Sequence, residues 1–330
     1  MNRRRSLFPR YPALASLALL SLVLAPVPAA ASGFPVTVES CGRPITFDKA
    51  PQRAVAHDQN ISEIMFALGL QPHMVGLTGI TGWYKMTPEF RAAMGDLPEL
   101  APKHPTMENL LAVDPDFFFA GWYYGMNPGG EITPDTLGAH GVAVYELTES
   151  CVHIDSGQPR ATLDTLYADV RNVGAIFGQR EKAEALVEGW QARVARIQGQ
   201  VAGSVPVEVF LYDSGEDKPF TAGRHAMPTA LIEAAGGRNV MDDVPTSWGT
   251  VGWEAVLERE PDFIVLVDYD AGGWEKSWTF LQEHPGMSGL AAVREGRFLP
   301  MRYGEITPSP ANIDAVEKLA RALHPERFGE

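Results

Sequence analysis

Two segments of the chain, 108-ENLLAVDPDFF-118 and 254-EAVLEREPDFI-264, repeat one pattern at a distance of 146 residues. Each has a glutamate, an apolar pair two and three residues later, and Pro-Asp-Phe after seven residues. The pattern fits a short helix and a buried strand, because the residue before proline is pushed out of the α region and an apolar run suits a strand covered on both faces. Thr106 and Thr250 are placed to cap the two helices. Two copies predict two similar α/β lobes with mostly parallel sheets.

The N-terminus is typical of a secretory signal peptide. Arginines at positions 3, 4, 5 and 10 precede an apolar run from Ala13 to Leu24, and alanines at 29–31 suit a cleavage site. The run is too short to span a membrane comfortably. No cysteine follows it at the position where a lipoprotein would be acylated. We predict that residues 1–31 are removed, by Sec more readily than by Tat export, and that the mature protein is soluble and periplasmic.

The charge of the chain excludes several classes of partner. Removal of residues 1–31, which contain four arginines, changes the formal net charge from −14 to −18 and leaves 299 of 330 residues. So acidic a protein is a poor partner for nucleic acid and for anionic membrane surfaces. The remaining length is enough for two ordinary domains, and we expect a monomer.

Strand and helix patterns alternate along both halves of the mature chain, as in parallel α/β sheets. Between the halves, apolar residues recur every three or four positions from Arg160 to Phe177, which predicts one amphipathic helix roughly 27 Å long. No low-complexity linker divides the halves, which favours a stiff helical connection. We predict a first lobe over residues 32–156, a connecting helix over 157–178 and a second lobe over 179–330.

The chain has two cysteines, Cys41 and Cys151, both within the first predicted lobe. In an oxidising compartment one disulfide within that lobe is the simplest interpretation. Two separate buried thiols are the alternative. A metal site built on them has little support, because no CxxC spacing is present.

Aromatic residues are concentrated in the loops that follow predicted strands. Ligands of parallel α/β sheets bind beyond the carboxyl ends of the strands, and flat apolar walls with a few hydrogen-bonding tips suit a large, planar or aromatic ligand. Packing in a small satellite core is the simpler explanation for any single ring. The candidate ligand-binding aromatics are Trp83, Tyr84, Trp122, Tyr123, Tyr124, Trp248, Tyr269, Trp274 and Tyr303.

Histidines and carboxylates offer an alternative, the direct capture of a free divalent transition metal. His57 and His225 with Glu305 are the candidate ligands, and His104 and Asp58 are further donors of the same types. A histidine satisfied by its own surroundings is more common than a metal ligand.

Cationic side chains in the same loops offer a third kind of recognition, the binding of an anionic ligand. Guanidinium groups bind carboxylates in this way. The candidates are Lys85, Lys103, Arg224 and Arg302, for each of which a solvated surface charge is the simpler explanation.

Motifs of catalysis are absent from the sequence. It has no Gly-x-Ser-x-Gly elbow, no glycine-rich phosphate loop and no HExxH. We therefore predict a binding protein without a cofactor rather than an enzyme, and an exported enzyme is the less favoured alternative.

Several short segments together resemble a known family. They are residues 50–56, 62–69, both repeat copies, 221–223 and 235–239. In this order they look like the substrate-binding proteins of ABC importers for iron-siderophores, haem and cobalamin, the helical-backbone class III. The resemblance covers nearly all of the mature chain. It implies two α/β lobes joined by one long helix, a ligand in the cleft between them and only small closure.

The resemblance also implies roles for individual residues. The family's docking glutamates, one on each lobe, pair with arginines of the permease and correspond to Glu108 and Glu254. A favourable interaction with the helix dipole is the simpler explanation for either glutamate alone. Arg224 corresponds to a position that often faces the cleft. The family's wall aromatics correspond to Trp83 or Tyr84, Trp122, Trp248 and Tyr303.

The sequence departs from some members of that family in lacking an obvious set of three arginines for a catecholate. His57, Asp58, Asp268 and Glu305 favour a neutral or cationic chelate instead, or a metal held with a small chelator. The sequence thus predicts a protein that captures a metal chelate, an iron-siderophore or a cobalamin-like or haem-like ligand, and delivers it to an ABC permease dimer.

Overall fold

A short hairpin begins the part of the chain that the computed structural model describes, which consists of Met1 and residues 33–83, 85–121, 130–269 and 273–329. Strands β1 (Val36–Ser40) and β2 (Arg43–Phe47) pair antiparallel. Cys41 and Gly42 join them with φ of 46° and 77°. Two consecutive residues at positive φ are typical of a type I′ turn, which matches the twist of the flanking strands.

The first lobe is built on a five-stranded sheet in which all strands are parallel. In chain order its elements are β3 (Ala54–His57), α1 (Gln59–Ala67), β4 (Met74–Thr78), α2 (Pro88–Met94), β5 (Glu99–Ala101), α3 (Met107–Leu111), β6 (Phe117–Ala120), α4 (Pro134–Gly138) and β7 (Ala143–Glu146). The strand order is β5-β4-β3-β6-β7. A 3₁₀ helix, Thr148–His153, follows the last strand.

Two helices connect this sheet to the next one. Helix α5 spans Leu163–Ile176, and α6 spans Arg180–Val201. The predicted connecting helix is confirmed in kind but begins later than Arg160, because the backbone N–H of Ala161 donates to the carbonyl of Arg224 and Thr162 is extended. With 14 residues, α5 is roughly 21 Å long. It contacts β1 of the first lobe and the first helix of the second.

The second lobe is built on a four-stranded parallel sheet with an antiparallel pair beside it. In chain order its elements are β8 (Val207–Tyr212), β9 (Phe220–Ala222), α7 (Met227–Ala234), β10 (Gly237–Asn239), β11 (Trp248–Thr250), α8 (Trp253–Glu258), β12 (Phe263–Asp268), α9 (Gly273–Glu283), α10 (Ala291–Arg294), β13 (Phe298–Arg302), α11 (Tyr303–Ile306) and α12 (Asn312–Leu323). The sheet order is β10-β8-β12-β13, and β9 pairs with β11.

The repeated sequence pattern corresponds to a repeated structure. In both lobes a short helix precedes a buried strand, β6 or β12, which pairs with the first strand of its parallel sheet. The residue before each proline, Asp114 or Glu260, has φ of 46° or 43°. Thr106 caps α3 as predicted, whereas the prediction for Thr250 is wrong, because Thr250 lies in β11 and Gly252 is the N-cap of α8.

One apolar core runs through both lobes. Phe117 of β6, Val170 of α5 and Val265 of β12 belong to the same cluster of buried side chains. Residues 33–330 correspondingly form one compact unit. Displacement of one lobe therefore has to disturb packing around α5, which favours small movements over free hinging.

The two cysteines form the predicted disulfide. Cys41 in the turn of the first hairpin is bonded to Cys151 in the 3₁₀ helix, across a sequence separation of 110. Within the described ranges, none of the helices combines the length and the apolar character that crossing a bilayer requires.

Candidate ligand-binding cleft

The carboxyl ends of the parallel strands of the two lobes meet. Asp58 directly follows β3 of the first lobe, and Tyr303 directly follows β13 of the second. The phenol of Tyr303 donates to Oδ2 of Asp58 at 2.9 Å. The edge of each sheet at which parallel α/β proteins bind ligands is thus directed toward the other lobe.

Asp58 is the centre of this meeting point. It is 1 % exposed, and its φ of 81° places the carboxylate at the start of α1. It accepts hydrogen bonds from the backbone N–H of Gln59 at 2.6 Å and from Nζ of Lys85 at 2.8 Å to each carboxylate oxygen. The Lys85 ammonium also lies 3.4 Å from the centre of the Tyr303 ring. Burial lowers the pKa of Lys85, and the charge of Asp58 opposes that effect.

A second buried acid is connected to this group through Tyr269. Asp213 directly follows β8 and is 8 % exposed. It accepts from the phenol of Tyr269 at 2.9 Å and from the hydroxyl of Ser214 at 2.7 Å. Burial raises the pKa of Asp213. The rings of Tyr269 and Tyr303 are 6.0 Å apart, so both predicted tyrosines belong to this group.

Trp83 lies at the end of a 3₁₀ turn in the loop after β4 and is half-buried. Its ring centre is 5.5 Å from that of His104, and the Lys103 ammonium lies 4.4 Å from it. In the same loop Gly79 has φ of 84°, and a Cβ at this position would lie 2.7 Å from the imidazole of His57. Only glycine allows the loop to pass so close to the end of β3.

Trp248 lies at the start of β11 and stacks on Phe220 at 6.1 Å. Its indole N–H donates to Oε1 of Glu149 at 3.1 Å. The Glu149 carboxylate is 4 % exposed and also accepts from the hydroxyl of Ser247 at 2.7 Å and the backbone N–H of Met227 at 2.8 Å. A first-lobe carboxylate thus binds three donors of the second lobe.

The remaining predicted ligand-binding residues have different surroundings. Arg224 donates to the backbone carbonyls of Asp242 and Asp243, each at 3.3 Å. Trp274 packs beside Phe298 at 5.4 Å, against the apolar core of the second lobe. Tyr84, Trp122, Tyr123 and Tyr124 lie outside the described residues.

Each residue of the metal-capture alternative has a hydrogen-bond partner of its own. His57 is fully buried and hydrogen-bonded through Nδ1 to the Thr78 hydroxyl at 2.7 Å, and burial lowers its pKa to about 4. Nδ1 of His225 is 2.9 Å from the carbonyl of Pro159. Glu305 accepts from Nζ of Lys318 at 3.1 Å. Among the residues that the structure describes, no three His, Cys, Asp or Glu side chains are grouped to hold a metal ion.

The two repeat glutamates occupy equivalent, exposed places. Glu108 and Glu254 each lie in the first turn of the helix that precedes the repeat strand. Trp253, the first residue of α8, donates its indole N–H to the carbonyl of Glu216, in the loop after β8. His104, which precedes α3, contacts Trp83 in the loop after β4. Both glutamates therefore lie near the strand ends that form the cleft.

Comparison with known proteins decides the family. A profile described as "Periplasmic binding protein" matches residues 55–302. The chain belongs to the periplasmic binding protein family. Binding, rather than catalysis, is the property that gives this extracytoplasmic family its name.

Relatives and solved structures agree with this assignment. A periplasmic binding protein of Veillonella parvula has 28 % identity and a TM-score of 0.75, covering 88 % of this chain and 97 % of that one. An ABC-type Fe³⁺-hydroxamate transport system protein of Saccharomonospora viridis has 26 % identity and a TM-score of 0.74, covering 90 % and 100 %. A cobalamin-binding protein of Halobacterium salinarum is 25 % identical over 299 residues, 89 % of this chain and 75 % of its own.

The geometry of this periplasmic binding protein also shows what sequence reasoning missed. Asp213 and Glu149 were not among the predicted site residues. Asp213 had a usable signal, because it directly follows a buried strand at its carboxyl end. Glu149 had none, because its three donors lie 78 to 99 residues further along the chain.

Proposed function

We propose that this periplasmic binding protein captures a metal chelate, a ferric siderophore or a corrinoid-like or haem-like ligand, with preference for a neutral or cationic one, and delivers it to an ABC permease. The similarity to an Fe³⁺-hydroxamate transport protein and to a cobalamin-binding protein supports the chelate class. Half-buried Trp83 and Trp248 on opposite lobes suit the apolar body of such a ligand.

The observation that supports the charge assignment is that each candidate cation of the cleft region lies against a protein partner, most firmly Lys85, which is buried with Asp58. An anionic chelate needs cations that are available to it, because an acidic protein otherwise repels it. Residues 84, 122–129 and 270–272 contain no lysine or arginine by sequence and contribute one more acid, Asp270. In the described chain Lys85 pairs with Asp58, Lys103 lies on Trp83, Arg302 is 3.7 Å from Glu89, and Arg224 binds backbone carbonyls.

We assign permease docking to Glu108 and Glu254. Their equivalent positions in the repeat, their exposure and their location near the mouth of the cleft support this role. A dimeric permease presents two equivalent surfaces, and two equivalent glutamates on one binding protein match that symmetry.

The remaining parts of the proposal concern the mature protein. Residues 1–31 serve as a cleavable signal peptide, and the mature chain acts in the periplasm as a monomer without enzymatic activity or cofactor. Its first lobe spans 32–156, its connecting segment 157–178 and its second lobe 179–330, in agreement with a sheet on either side of α5.

Titration with chelates of different charge tests the proposal. Tryptophan fluorescence is recorded against a neutral corrinoid, a ferric trihydroxamate and a trianionic ferric tris-catecholate. We expect submicromolar binding of one of the first two and at least 100-fold weaker binding of the third. Trp248→Ala should weaken that binding at least tenfold, whereas Trp190→Ala, on α6, serves as the matched control and should not. Absence of any binding refutes the corrinoid and siderophore assignments, and tightest binding of the tris-catecholate refutes the charge assignment alone.

A further inference from the structure

We propose that Lys85 is a positioning residue that holds the two lobes together, because its ammonium occupies a cation cage formed by Asp58 and the ring of Tyr303, next to which Tyr269 and Asp213 lie. The inference goes beyond ligand capture and does not depend on which chelate is bound. It concerns how the ligand-free protein maintains the arrangement of its cleft.

The cage is shared between the lobes. The first lobe supplies Lys85 itself and Asp58, whose two oxygens both lie 2.8 Å from Nζ. The second lobe supplies Tyr303, whose ring face is 3.4 Å from Nζ and whose hydroxyl donates to Asp58. Tyr269 lies 6.0 Å from Tyr303 and donates to Asp213. The ammonium therefore joins a first-lobe acid to the ring of a second-lobe tyrosine, Tyr303.

The charges of the cage require a cation. Lys85, Asp58 and Asp213 are 7 %, 1 % and 8 % exposed. A buried charge is stable only when it is paired and hydrogen-bonded, and a carboxylate left without its cation is strongly unfavourable. The ring face of a tyrosine adds attraction for a desolvated ammonium. Asp58 and Asp213 both raise the pKa of Lys85, against the effect of burial. Without Lys85, two buried acids would remain at the junction of the lobes.

A second ion pair across the lobes provides an internal comparison. Arg302 of the second lobe is 3.7 Å from Glu89 of the first, with side chains 57 % and 75 % exposed. Exposed pairs of this kind contribute little, because water and salt screen them. Removal of Glu89 should therefore leave the arrangement of the lobes unchanged, whereas removal of Lys85 should not.

Spin-label distances in the ligand-free protein test the inference. Labels are attached at Ala139→Cys and Ala195→Cys, exposed positions on the first lobe and on α6. The parent protein and its Glu89→Gln variant should give one narrow distance distribution. Lys85→Met should broaden it and shift its mean. An unchanged distribution in Lys85→Met overturns the inference.

Chemical rescue tests the cage itself. In Lys85→Ala, millimolar n-propylammonium should restore the narrow distribution, whereas n-propanol at the same concentration should not, because only the former carries the missing charge. Equal effects of the two compounds, or no effect of either, overturn the cation cage. The double variant Lys85→Met, Asp58→Asn removes both charges of the ion pair, but the ring of Tyr303 and the nearby Asp213 still lack their cation. It should therefore also broaden the distribution, which keeps the test valid if the single variants do not fold.

Discussion

Replacement of Glu149 should reveal how strongly one first-lobe carboxylate fixes the second lobe. Its carboxylate accepts from Met227 N–H, the Ser247 hydroxyl and the Trp248 indole at 2.7 to 3.1 Å and is 4 % exposed. Cys151, two residues further along the chain, anchors the same 3₁₀ helix to the first hairpin through the disulfide.

The expected loss of stability follows from these three bonds. A hydrogen bond to a charged group contributes roughly 1.5–3 kcal/mol, and a buried donor left without an acceptor costs roughly 1–3 kcal/mol. Water that enters the space left by Glu149→Ala recovers part of this, so we expect a net loss of about 3–5 kcal/mol. Glu149→Gln keeps one carbonyl acceptor but turns an amide N–H₂ toward a donor. It should lower the free energy of unfolding by about 2 kcal/mol.

Equilibrium urea unfolding followed by circular dichroism measures these losses. Glu39→Ala, an exposed glutamate in β1, is the matched control and should change the unfolding free energy by no more than about 0.5 kcal/mol. If both Glu149 variants also stay within about 0.5 kcal/mol of the parent protein, the carboxylate does not stabilise the lobe contact and this reasoning is refuted.

Three further predictions concern the disulfide, the buried histidine and the docking surface. The double variant Cys41→Ser, Cys151→Ser opens a loop with a sequence separation of 110, and urea unfolding should show a loss of up to about 4.7 kcal/mol; a loss below about 1 kcal/mol would contradict this. Burial lowers the pKa of His57 from 6.5 to about 4. The contribution of the neutral imidazole to the free energy of unfolding is therefore fully present above pH 6.5 and is lost as the pH falls toward 4. The stability advantage of the parent protein over His57→Asn should therefore shrink by about 3 kcal/mol between pH 7 and pH 4, and an advantage independent of pH would count against the assignment. Glu108→Ala with Glu254→Ala should leave chelate affinity unchanged and abolish uptake by cells, whereas normal uptake would exclude the docking role.

The two-lobed fold could be predicted because its signals are local. The repeated Glu-to-Phe pattern determines a helix and a strand within about a dozen residues, and it appears in both lobes as β6 and β12 with their preceding helices. The errors arise where distant pairing overrides local preference. Thr250 would suit a helix cap, but pairing of β11 with β9 draws it into a strand.

The cleft could be predicted only in part. Its location follows from the carboxyl ends of parallel strands, and Tyr269 and Tyr303 were identified for that reason. The partners of these residues could not be predicted, because Tyr303 and Asp58 are 245 residues apart and no local pattern connects them. For the same reason Lys85 could be considered as an anion-binding group, whereas the structure places it between acids.

Native mass spectrometry of the protein purified from the envelope of its own cells shows which ligand it carries. We predict a complex of one protein with one organic metal chelate, whose accurate mass after release identifies the metal as iron or cobalt and whose charge is zero or positive. A protein that carries a bare divalent metal ion, or a trianionic chelate at full occupancy, would contradict it.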